Sequence, residues 1–515
     1  MKRMKAQWKW SLRLLLAGAS LMLSNLASAA ECNPWNSATV YTQGLYSTYG
    51  GKTWRAKWYT QNEIPGSNQW GPWEERPASE CTPTVPPGGD GSGIPEPKPT
   101  VGKHLGSYFA QWSIYGRNYK LRNLVDTGGD KNLTFLNYAF GNVYADGRCN
   151  IVTRAENGNG DGGDGWADYQ RGFAANESVD GIGDTWDAKL KGNFNQLKKL
   201  KLRNPNLKVL ISLGGWTWSK NFSTFARTDA GRKALVSSCI DLYLKGNLPV
   251  AEGAGGAGVA KGVFDGIDID WEYPVAGGLP TNNYDPSDKQ NFTLLMKEFR
   301  TQLDALTAAN KRRYYLTAAV GSGVDKIRNT EAGLYSSYLD WVNIMSYDFH
   351  GGWETVGPTN FQSALFADSA APVTGDLAKY NINDAVTAFI AAGMPKSKIV
   401  VGIPFYGRGW KGVKAGPKGD GLYQAATSPA AGTYEAGVDD YKVLVQKRTT
   451  KYVHPVTKQL WTYDGNEFWS YDDPSVISTK STYVKTQGLG GLFSWSLDGD
   501  DAQGTLIKAM NVVRQ

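Results

Sequence analysis

FDGIDIDWEYP, residues Phe264–Pro274, is a stretch in which apolar and acidic side chains alternate. The alternation covers six consecutive positions: Ile267, Asp268, Ile269, Asp270, Trp271 and Glu272. A period of two is typical of a β-strand, whose successive side chains point to opposite faces, so three carboxyl groups are expected on one face. An ordinary exposed strand would favour Lys, Thr or mixed charges, because neighbouring like charges repel each other.

Three carboxyl groups this close together cannot all ionise easily. At least one is therefore expected to have a raised pKa and to keep its proton, which makes it a candidate general acid. Glu272 is the last of the three, and Tyr273 and Pro274 end the strand. In a parallel α/β barrel the carboxyl ends of the strands surround the active site, so Glu272 is predicted to point into that site.

The spacing of four acids, Asp265, Asp268, Asp270 and Glu272, resembles the DxxDxDxE signature of family 18 glycoside hydrolases, the chitinases. Two other stretches extend the resemblance along the chain. Residues 212–215 read SLGG and resemble the SxGG motif of that family, and residues 345–348 read MSYD and match its MxYD motif.

From residue 105 onward, short apolar runs alternate with longer helical patterns, which is typical of β/α units around a parallel sheet. Eight strands are predicted, at Leu105–Phe109, Leu133–Ala139, Val209–Leu213, Gly266–Trp271, Tyr315–Val320, Trp341–Ser346, Ile399–Ile403 and Gly491–Ser494. Helical patterns between them include Ala188–Leu202, Asp288–Leu306 and Ile382–Ala392. The predicted fold is a (β/α)8 barrel over residues 101–515.

Candidate substrate-binding residues follow several of these strands: Ser212, Trp216, Tyr347, Asp348, Trp353, Tyr406, Arg408 and Trp495. The resemblance implies that Trp495 is the floor beneath a distorted sugar and that Tyr347 belongs to the catalytic group. Trp216 and Trp353 are candidates for other sugar sites, although packing of the core or of a loop explains them equally well. An Arg at a strand end is as often structural as ligand-binding.

Two long intervals interrupt the barrel pattern. Residues 409–472 are rich in Gly, Tyr and β-branched residues and are too long for an ordinary connection. They resemble the small α+β insertion of chitinases with deep clefts, so one wall of a groove is expected there. Residues 141–185 are expected to line the other side, and their NGNGDGGDG stretch suggests either a calcium loop, although it lacks the closing Glu of an EF-hand, or a solvated loop.

The first 29 residues have the pattern of a secretory signal. Five basic residues precede a mostly apolar stretch at residues 14–26, and Ala27-Ser28-Ala29 supplies a small-residue cleavage site. The alternative is an amphipathic anchor helix that stays attached. Cleavage would remove these five positive charges and lower the formal net charge from +7 to about +2. A nearly neutral mature protein gives no reason to expect nucleic acid as a partner.

The chain has four Cys and three His. In an exported chain this favours disulfides over metal binding, and no Cys and His cluster has the spacing of a zinc site. Cys32 and Cys81 bracket a small N-terminal domain and are predicted to be paired. Cys149 and Cys239 are then paired by elimination.

Residues 30–81 contain several Trp in a stretch too short for a large core. The stretches AKWYT at 56–60 and WGPWE at 70–74 resemble chitin-binding modules of carbohydrate-binding families 5 and 12. The resemblance implies an exposed platform of three rings, Trp35, Trp58 and Tyr59, whereas Trp54, Trp70 and Trp73 are expected in the core. Residues 82–100 are rich in Pro and Gly and are predicted to be an extended linker that holds the two domains apart.

The resemblance implies a retaining, substrate-assisted mechanism, in which the 2-acetamido carbonyl of the substrate is the nucleophile. Glu272 would be the acid and base, Asp270 would hold the acetamido group, and Asp268 would control the state of Asp270. The expected partners are chitin and N-acetylglucosamine oligomers, with no cofactor and no metal. The protein is expected to be a secreted monomer without a membrane contact after cleavage. The alternatives are a non-catalytic chitin-binding lectin and an endoglycosidase that acts on N-linked glycans.

Overall fold

The structure is a computed structural model, and it describes residues 30–35, 39–83, 90–447 and 450–515. Eight parallel strands form its largest unit: β1 (His104–Ala110), β2 (Phe135–Val143), β3 (Lys208–Gly214), β4 (Gly266–Asp270), β5 (Tyr315–Gly321), β6 (Trp341–Met345), β7 (Ile399–Pro404) and β8 (Gly491–Trp495). Each strand pairs with the next, and β8 pairs with β1, so the sheet closes into a barrel. The predicted (β/α)8 fold is confirmed.

Twelve α-helices lie in the described part of the chain: α1 (Leu121–Asp126), α2 (Gly192–Arg203), α3 (Gly215–Trp218), α4 (Phe222–Ala226), α5 (Asp229–Cys239), α6 (Asp288–Asn310), α7 (Val324–Arg328), α8 (Ala332–Tyr335), α9 (Ile382–Ala391), α10 (Tyr441–Leu444), α11 (Pro474–Gln487) and α12 (Thr505–Met510). The three predicted helices correspond to α2, α6 and α9. Their boundaries shift by a few residues because capping, which hydrophobic periodicity does not report, sets helix ends.

The two faces of β4 separate the core from the site. Ile267 and Ile269 pack in the hydrophobic layer between the barrel and its helices, whereas Asp268 and Asp270 alternate with them and face the barrel interior. Large side chains from the other strands fill that interior below the acids, among them Phe135 and Trp341. The barrel is therefore a packed core with a polar upper end.

An antiparallel sheet interrupts the barrel between β7 and β8. It has six strands, Tyr406–Lys411, Ser428–Pro429, Val438–Asp440, Thr450–Val453, Leu460–Tyr463 and Phe468–Tyr471. Its own aromatic cluster, including Trp410, Trp461 and Phe468, is buried. This sheet, together with α10, is the small α+β insertion expected from the sequence. Its first strand begins at the carboxyl end of β7, so it rises directly from the upper end of the barrel.

The N-terminal module is a separate small β unit. Its strands are Ala30–Pro34, Val40–Tyr41, Tyr46–Tyr49, Lys52–Ala56, Thr60–Gln61, Trp73–Arg76 and Cys81–Pro83. A buried cluster, which we call the module core, consists of Trp35, Tyr41, Tyr49, Ala56 and Trp73. The side chain of Cys32 lies outside the described residues, so the predicted Cys32–Cys81 pair stays a prediction, as does the signal segment 1–29.

Two of the six predicted ring positions of the module are corrected by the structure. Trp35 is only 3% exposed, so it cannot belong to a flat external platform. Trp70, expected in the core, is 81% exposed. Trp54 is half-buried and packs against the module core, and Trp73 is buried within it. Trp58 and Tyr59 are exposed as expected, because they extend from the turn after the strand Lys52–Ala56. The number of aromatic residues in a short stretch does not predict which of them will be buried in its small core.

The C-terminal half of the predicted linker is not an extended spacer. Residues 90–100 lie on the lower end of the barrel, opposite the end of β4 that leads to Glu272. Ile94 is buried, and its carbonyl accepts a hydrogen bond from Arg312 Nη1 at 2.7 Å. Lys208 Nζ donates to the carbonyl of Lys98 at 2.8 Å. Backbone carbonyls thus satisfy buried cations at the barrel end, and this segment belongs to the barrel instead of holding two domains apart.

Cys149 and Cys239 form a disulfide with an S–S distance of 2.03 Å, which confirms the pairing by elimination. It ties the short strand after β2 to the end of α5. Within the described part of the chain, no helix is long and apolar enough to cross a membrane.

Asp265 is the hub of a buried ion cluster at the lower end of the barrel. It accepts hydrogen bonds from Lys201 Nζ at 2.8 Å and from Arg312 Nη2 at 2.6 Å, and all three side chains are buried. Asp265→Ala would leave both cations buried without this partner, so we expect the free energy of unfolding to fall by about 3–5 kcal/mol in urea denaturation. The matched control is Asp229→Ala, which removes an exposed pair with Lys233 and should leave the midpoint nearly unchanged. Equal midpoints for the two variants would contradict this account of Asp265.

Candidate active site

The site lies at the carboxyl end of β4. The strand ends at Asp270, and Glu272 follows two residues later, above the barrel interior. Trp271 lies between them, buried and stacked on Phe222 of α4 with ring centroids 5.6 Å apart. The backbone N–H of Glu272 donates to Ser219 Oγ at 2.8 Å. These contacts fix the backbone that carries the last acid, so Glu272 is held although it lies beyond the strand.

Asp268 is the most extensively hydrogen-bonded acid of the three. Its carboxylate accepts from side chains of four other strands: Tyr108 of β1 at 2.7 Å, Ser212 of β3 at 2.8 Å, Thr317 of β5, and Asn343 of β6 at 3.4 Å. Ser212 and Thr317 lie beside Asp268 in register across β3, β4 and β5. Burial raises the pKa of Asp268, and these donors oppose the rise.

Asp270 differs from Asp268 in its hydrogen bonding. Its Oδ1 atom is buried and has no hydrogen-bond partner among the described residues. Burial raises the pKa of Asp270 well above its usual range, and the neighbouring charges of Glu272 and Asp268 raise it further. A buried acceptor without a partner is costly, so it is a good position for a ligand N–H.

Glu272 has a pKa near neutrality. Burial raises the pKa of its carboxyl to about 7, a hydrogen bond with Tyr273 opposes the rise, and the charge of Asp348 adds to it. A carboxyl group with this pKa is largely protonated at mildly acidic pH and ionises near pH 7. It is therefore suited to give a proton and to take one back in the same reaction cycle.

The two glycines after β3 bring neighbouring chains close to the acids. A Cβ atom on Gly214 would lie 2.3 Å from the carbonyl oxygen of Asp270, and one on Gly215 would lie 2.5 Å from the ring of Phe140. Both residues have positive φ, 107° and 74°. The SLGG motif is therefore explained by a close approach of β3 to β4 that side chains would prevent.

A second polar group lies beside the acids, at the ends of β6 and β7. Tyr347 is half-buried, and its ring packs edge-on against Tyr406 and Phe493. Asp348 Oδ1 accepts from Tyr406 Oη at 2.8 Å and from Arg408 Nε at 2.7 Å. Tyr406 and Arg408 belong to the first strand of the insertion, so they hold Asp348 next to Glu272.

An aromatic floor lies on the other side of the acids. Trp495, half-buried at the end of β8, stacks on Phe140 with centroids 5.5 Å apart and lies 5.4 Å from the ring of Tyr108. Trp112, which follows β1, extends the surface at 6.3 Å from Trp495. Apolar ring faces beside convergent carboxyl groups are the usual chemistry of a carbohydrate site.

Comparison with known proteins identifies the family. Residues 104–500 match the family described as "Glycosyl hydrolases family 18". The chain belongs to family 18 of the glycosyl hydrolases. The matched region begins at β1 and ends after β8, so it contains the whole barrel, its insertion and the three acids.

Curated relatives include Chitinase C of Streptomyces lividans, 41% identical over 425 residues, which are 82% of this chain and 60% of that protein. Chitinase 63 of Streptomyces plicatus is 40% identical over 438 residues, 84% of this chain and 64% of that protein. The chain thus spans about 60% of the length of these relatives.

Among solved structures, the catalytic domain of the psychrophilic chitinase B from Arthrobacter TAD20 superposes with a TM-score of 0.76 at 44% identity. The match covers 80% of this chain and 95% of that domain. A chitinase from Bacillus thuringiensis superposes with a TM-score of 0.65 at 32% identity, over 80% of this chain and 70% of that one. Both are consistent with the family and with the closed barrel.

The structure gathers most of the residues proposed from this family's motifs at one end of the barrel. Asp268, Asp270, Glu272, Tyr347, Asp348, Ser212, Tyr406, Arg408 and Trp495 form one connected group through the contacts described above. Trp216 and Trp353 are exposed, and the guanidinium of Arg408 lies 5.1 Å from the Trp353 ring centroid.

Sequence reasoning missed Tyr108, Thr317 and Asn343, which contact Asp268, and the rings of Trp112 and Phe140. Tyr108, Thr317 and Asn343 lie within predicted strands, and the motifs of the family do not include them.

In the loop that contains the NGNGDGGDG stretch, backbone N–H groups bind a carboxylate of the same chain. The carboxylate of Glu156 accepts backbone N–H groups from Gly158 at 2.7 Å and from Gly160 and Gly162 at 2.9 Å. Burial acts to raise the pKa of Glu156, but these donors lower it overall. Backbone donors that point inward suit an anion and not a cation. No cluster of three or more acidic, His or Cys side chains in the described ranges could hold a metal.

Proposed function

We propose that this family 18 protein is a chitinase that hydrolyses β-1,4 linkages between N-acetylglucosamine units with retention of configuration. The observation that carries the proposal is the pair formed by Glu272, with its pKa near 7, and the unpartnered Oδ1 of Asp270. The names of the relatives support chitin as the substrate. The proposed reaction needs only side chains of the protein, the substrate and water.

In the first step, Glu272 protonates the glycosidic oxygen and the bond from that oxygen to C1 breaks. The carbonyl oxygen of the substrate's 2-acetamido group attacks C1 and forms an oxazolinium ion. Asp270 Oδ1 accepts the acetamido N–H, which a carboxyl oxygen can do in either protonation state. Tyr347 holds the acetamido oxygen in line for attack, and Trp495 supports the sugar ring.

In the second step, Glu272 is a carboxylate and removes a proton from a water molecule that attacks C1. The oxazolinium ring opens, the acetamido group is restored, and Glu272 regains its proton. Asp268, held by side chains from four strands, lies next to Asp270 and can hold either a negative charge or a proton. It thereby controls the protonation state of Asp270. The titrations of the three acids are therefore coupled, and none of the three is expected to titrate as an isolated carboxyl.

The pH dependence of the reaction follows from the acid form of Glu272. Because its pKa is raised to about 7, the proton donor is present below that pH and is lost above it. We expect kcat/KM for soluble chitin oligomers to be steady just below pH 7 and to fall by about tenfold per pH unit above it. The measurement is a pH profile on one oligomer at low substrate concentration. A flat profile from pH 6 to 9 would argue against Glu272 as the donor.

The N-terminal module is proposed to bind chitin through exposed rings. Trp58 is 48% exposed and Tyr59 is 62% exposed, and both lie on one turn. Trp58→Ala should weaken binding to insoluble chitin by about 10-fold, since a sugar ring packs its apolar face on an aromatic side chain as a nucleic-acid base does, and stacking of a base contributes on the order of 1–3 kcal/mol. The matched control is Tyr284→Ala, an exposed ring on the barrel. Depletion of protein from solution by chitin measures both variants, and equal binding by both would reject the assignment.

The test of the proposed activity is the release of soluble sugar from chitin by the purified protein, with the product anomer followed by NMR. The β-anomer appearing first indicates retention. Binding without release would favour the lectin alternative, and cleavage of N-linked glycans but not of chitin would favour an endoglycosidase. We also propose that the protein is exported and acts as a monomer, which rests on its N-terminal segment and on the insolubility of chitin.

A further inference from the structure

The N-terminal module lies against the barrel. Leu202, in the last turn of α2, packs against the module core. On the same side, Tyr49 of the module core donates a hydrogen bond from its hydroxyl to Asp180 Oδ2 at 3.1 Å, and both residues are buried. A hydrogen bond to a carboxylate shielded from water is stronger than one between neutral groups at the surface. The contact therefore combines apolar packing with a specific polar bond.

The barrel side of this contact is rigid before the module arrives. Asp180 Oδ1 accepts from Ser178 Oγ at 2.8 Å, from the backbone N–H of Ile182 at 3.0 Å, and from Lys199 Nζ at 2.9 Å. These bonds orient the other oxygen, Oδ2, toward Tyr49. Because the acceptor is held in place by its own loop and by α2, little side-chain entropy is lost on docking.

The connection between the two units is short. Residues 90–100 are fixed on the lower end of the barrel by Arg312 and Lys208, and the last strand of the module ends at Pro83. Only residues 84–89 lie between these two points. A short tether gives an effective concentration in the millimolar range, so a contact with a dissociation constant of about 1 mM is already substantially occupied.

We propose that the N-terminal module docks on the barrel in solution, on a docking surface formed by Leu202 and the loop Ser178–Ile182. The interface is internal to the chain, and its occupant is the module core. Docking leaves the exposed rings Trp58, Tyr59 and Trp70 free. The module therefore carries these rings at a fixed distance from the cleft, in contrast to a domain that moves on a long flexible tether.

The docking proposal is independent of the proposed enzymatic activity. The effect of docking on chitin hydrolysis, however, rests on that proposed activity. If the rings bind the polysaccharide surface, a docked module fixes how the barrel meets that surface. Disrupting the docking should change the rate on crystalline chitin and leave the rate on soluble oligomers unaltered, since no residue of the docking surface contacts the three acids in the described structure.

Hydrogen–deuterium exchange of the full-length protein tests the docking without reference to activity. Tyr49→Phe removes only the hydroxyl that reaches Asp180. We expect the amides of residues 178–182 to exchange about fivefold faster than in the wild type, although the substitution lies in the module. The matched control is Tyr46→Phe, because the Tyr46 hydroxyl bonds to Glu80 within the module at 2.8 Å. That variant should leave residues 178–182 unchanged.

Leu202→Glu tests the apolar part of the contact from the barrel side. A charge placed against the module core should speed exchange in the module strand Tyr46–Tyr49 by about tenfold. Unchanged exchange across the contact in both Tyr49→Phe and Leu202→Glu would overturn the docking proposal. An increase at residues 178–182 of the same size in Tyr46→Phe would also overturn it, because the stability of the module would then explain the effect.

Discussion

Glu272→Gln is expected to lower kcat for chitin oligomers by about 10²–10⁴-fold, the usual contribution of a general acid and base. The substitution keeps the shape of the side chain and removes its acidity, so KM should change much less than kcat. The loss should be smaller for a substrate with a good leaving group, since its departure needs less protonation. Steady-state kinetics on a chitin oligomer and on a nitrophenyl glycoside measure both effects.

The matched control for Glu272→Gln is Glu298→Gln, which changes a carboxyl on the outer helix α6 that binds Gln302 at 2.7 Å. Its kinetics should equal those of the wild type. If Glu272→Gln kept activity within about tenfold of the wild type, Glu272 would not be the proton donor and the mechanism proposed above would fail.

Asp270→Asn is expected to reduce kcat by about 10²–10³-fold, a loss comparable to that of removing one group that stabilises transition-state charge. The amide keeps an acceptor oxygen for the acetamido N–H, but unlike the carboxyl group it cannot pass a proton to Asp268 and become negatively charged as the oxazolinium ion forms. Steady-state kinetics on the same oligomer measure the loss. An undiminished kcat would show that the negative charge of Asp270 contributes nothing to the reaction.

Asp168 supplies a matched control for Asp270. It is a buried carboxyl of the same barrel, where it accepts hydrogen bonds from Gln111 at 2.7 Å and from Tyr138 at 2.6 Å. Burial raises the pKa of Asp168 to about 8, so it is neutral at pH 7 and an amide imitates it well. Asp168→Asn should therefore keep the activity of the wild type. An equal loss in both variants would mean that the cost comes from altering any buried carboxyl.

The local part of the structure could be predicted because it depends on neighbours in sequence. The period of two in residues 266–270 placed Asp268 and Asp270 on the same face of β4, and all eight strands were found from their apolar runs. The pKa of Glu272 was expected to rise because three carboxyl groups share that face. The structure adds that burial is the first cause of the rise.

The N-terminal region shows why composition alone is a weaker guide. Pro and Gly in residues 82–100 predicted an extended linker, yet Ile94 is buried and its carbonyl binds Arg312. An extended segment without internal hydrogen bonds still has free backbone carbonyls, and a barrel end with buried cations provides donors for them. Likewise, Trp35 entered the module core while Trp70 stayed outside, because core volume and not ring count decides which rings are buried.

By itself, the sequence determined the barrel, the acid face of β4 and the disulfide between Cys149 and Cys239, since strand period, motif spacing and cysteine number are properties of the chain alone. Only the tertiary structure decided which side chains control these acids. Tyr108 reaches Asp268 across 160 residues of sequence, and Asn343 reaches it from β6. The physical reason is closure of the sheet: pairing of β8 with β1 makes a barrel in which inward-facing side chains of distant strands meet, and sequence separation then carries no information about distance.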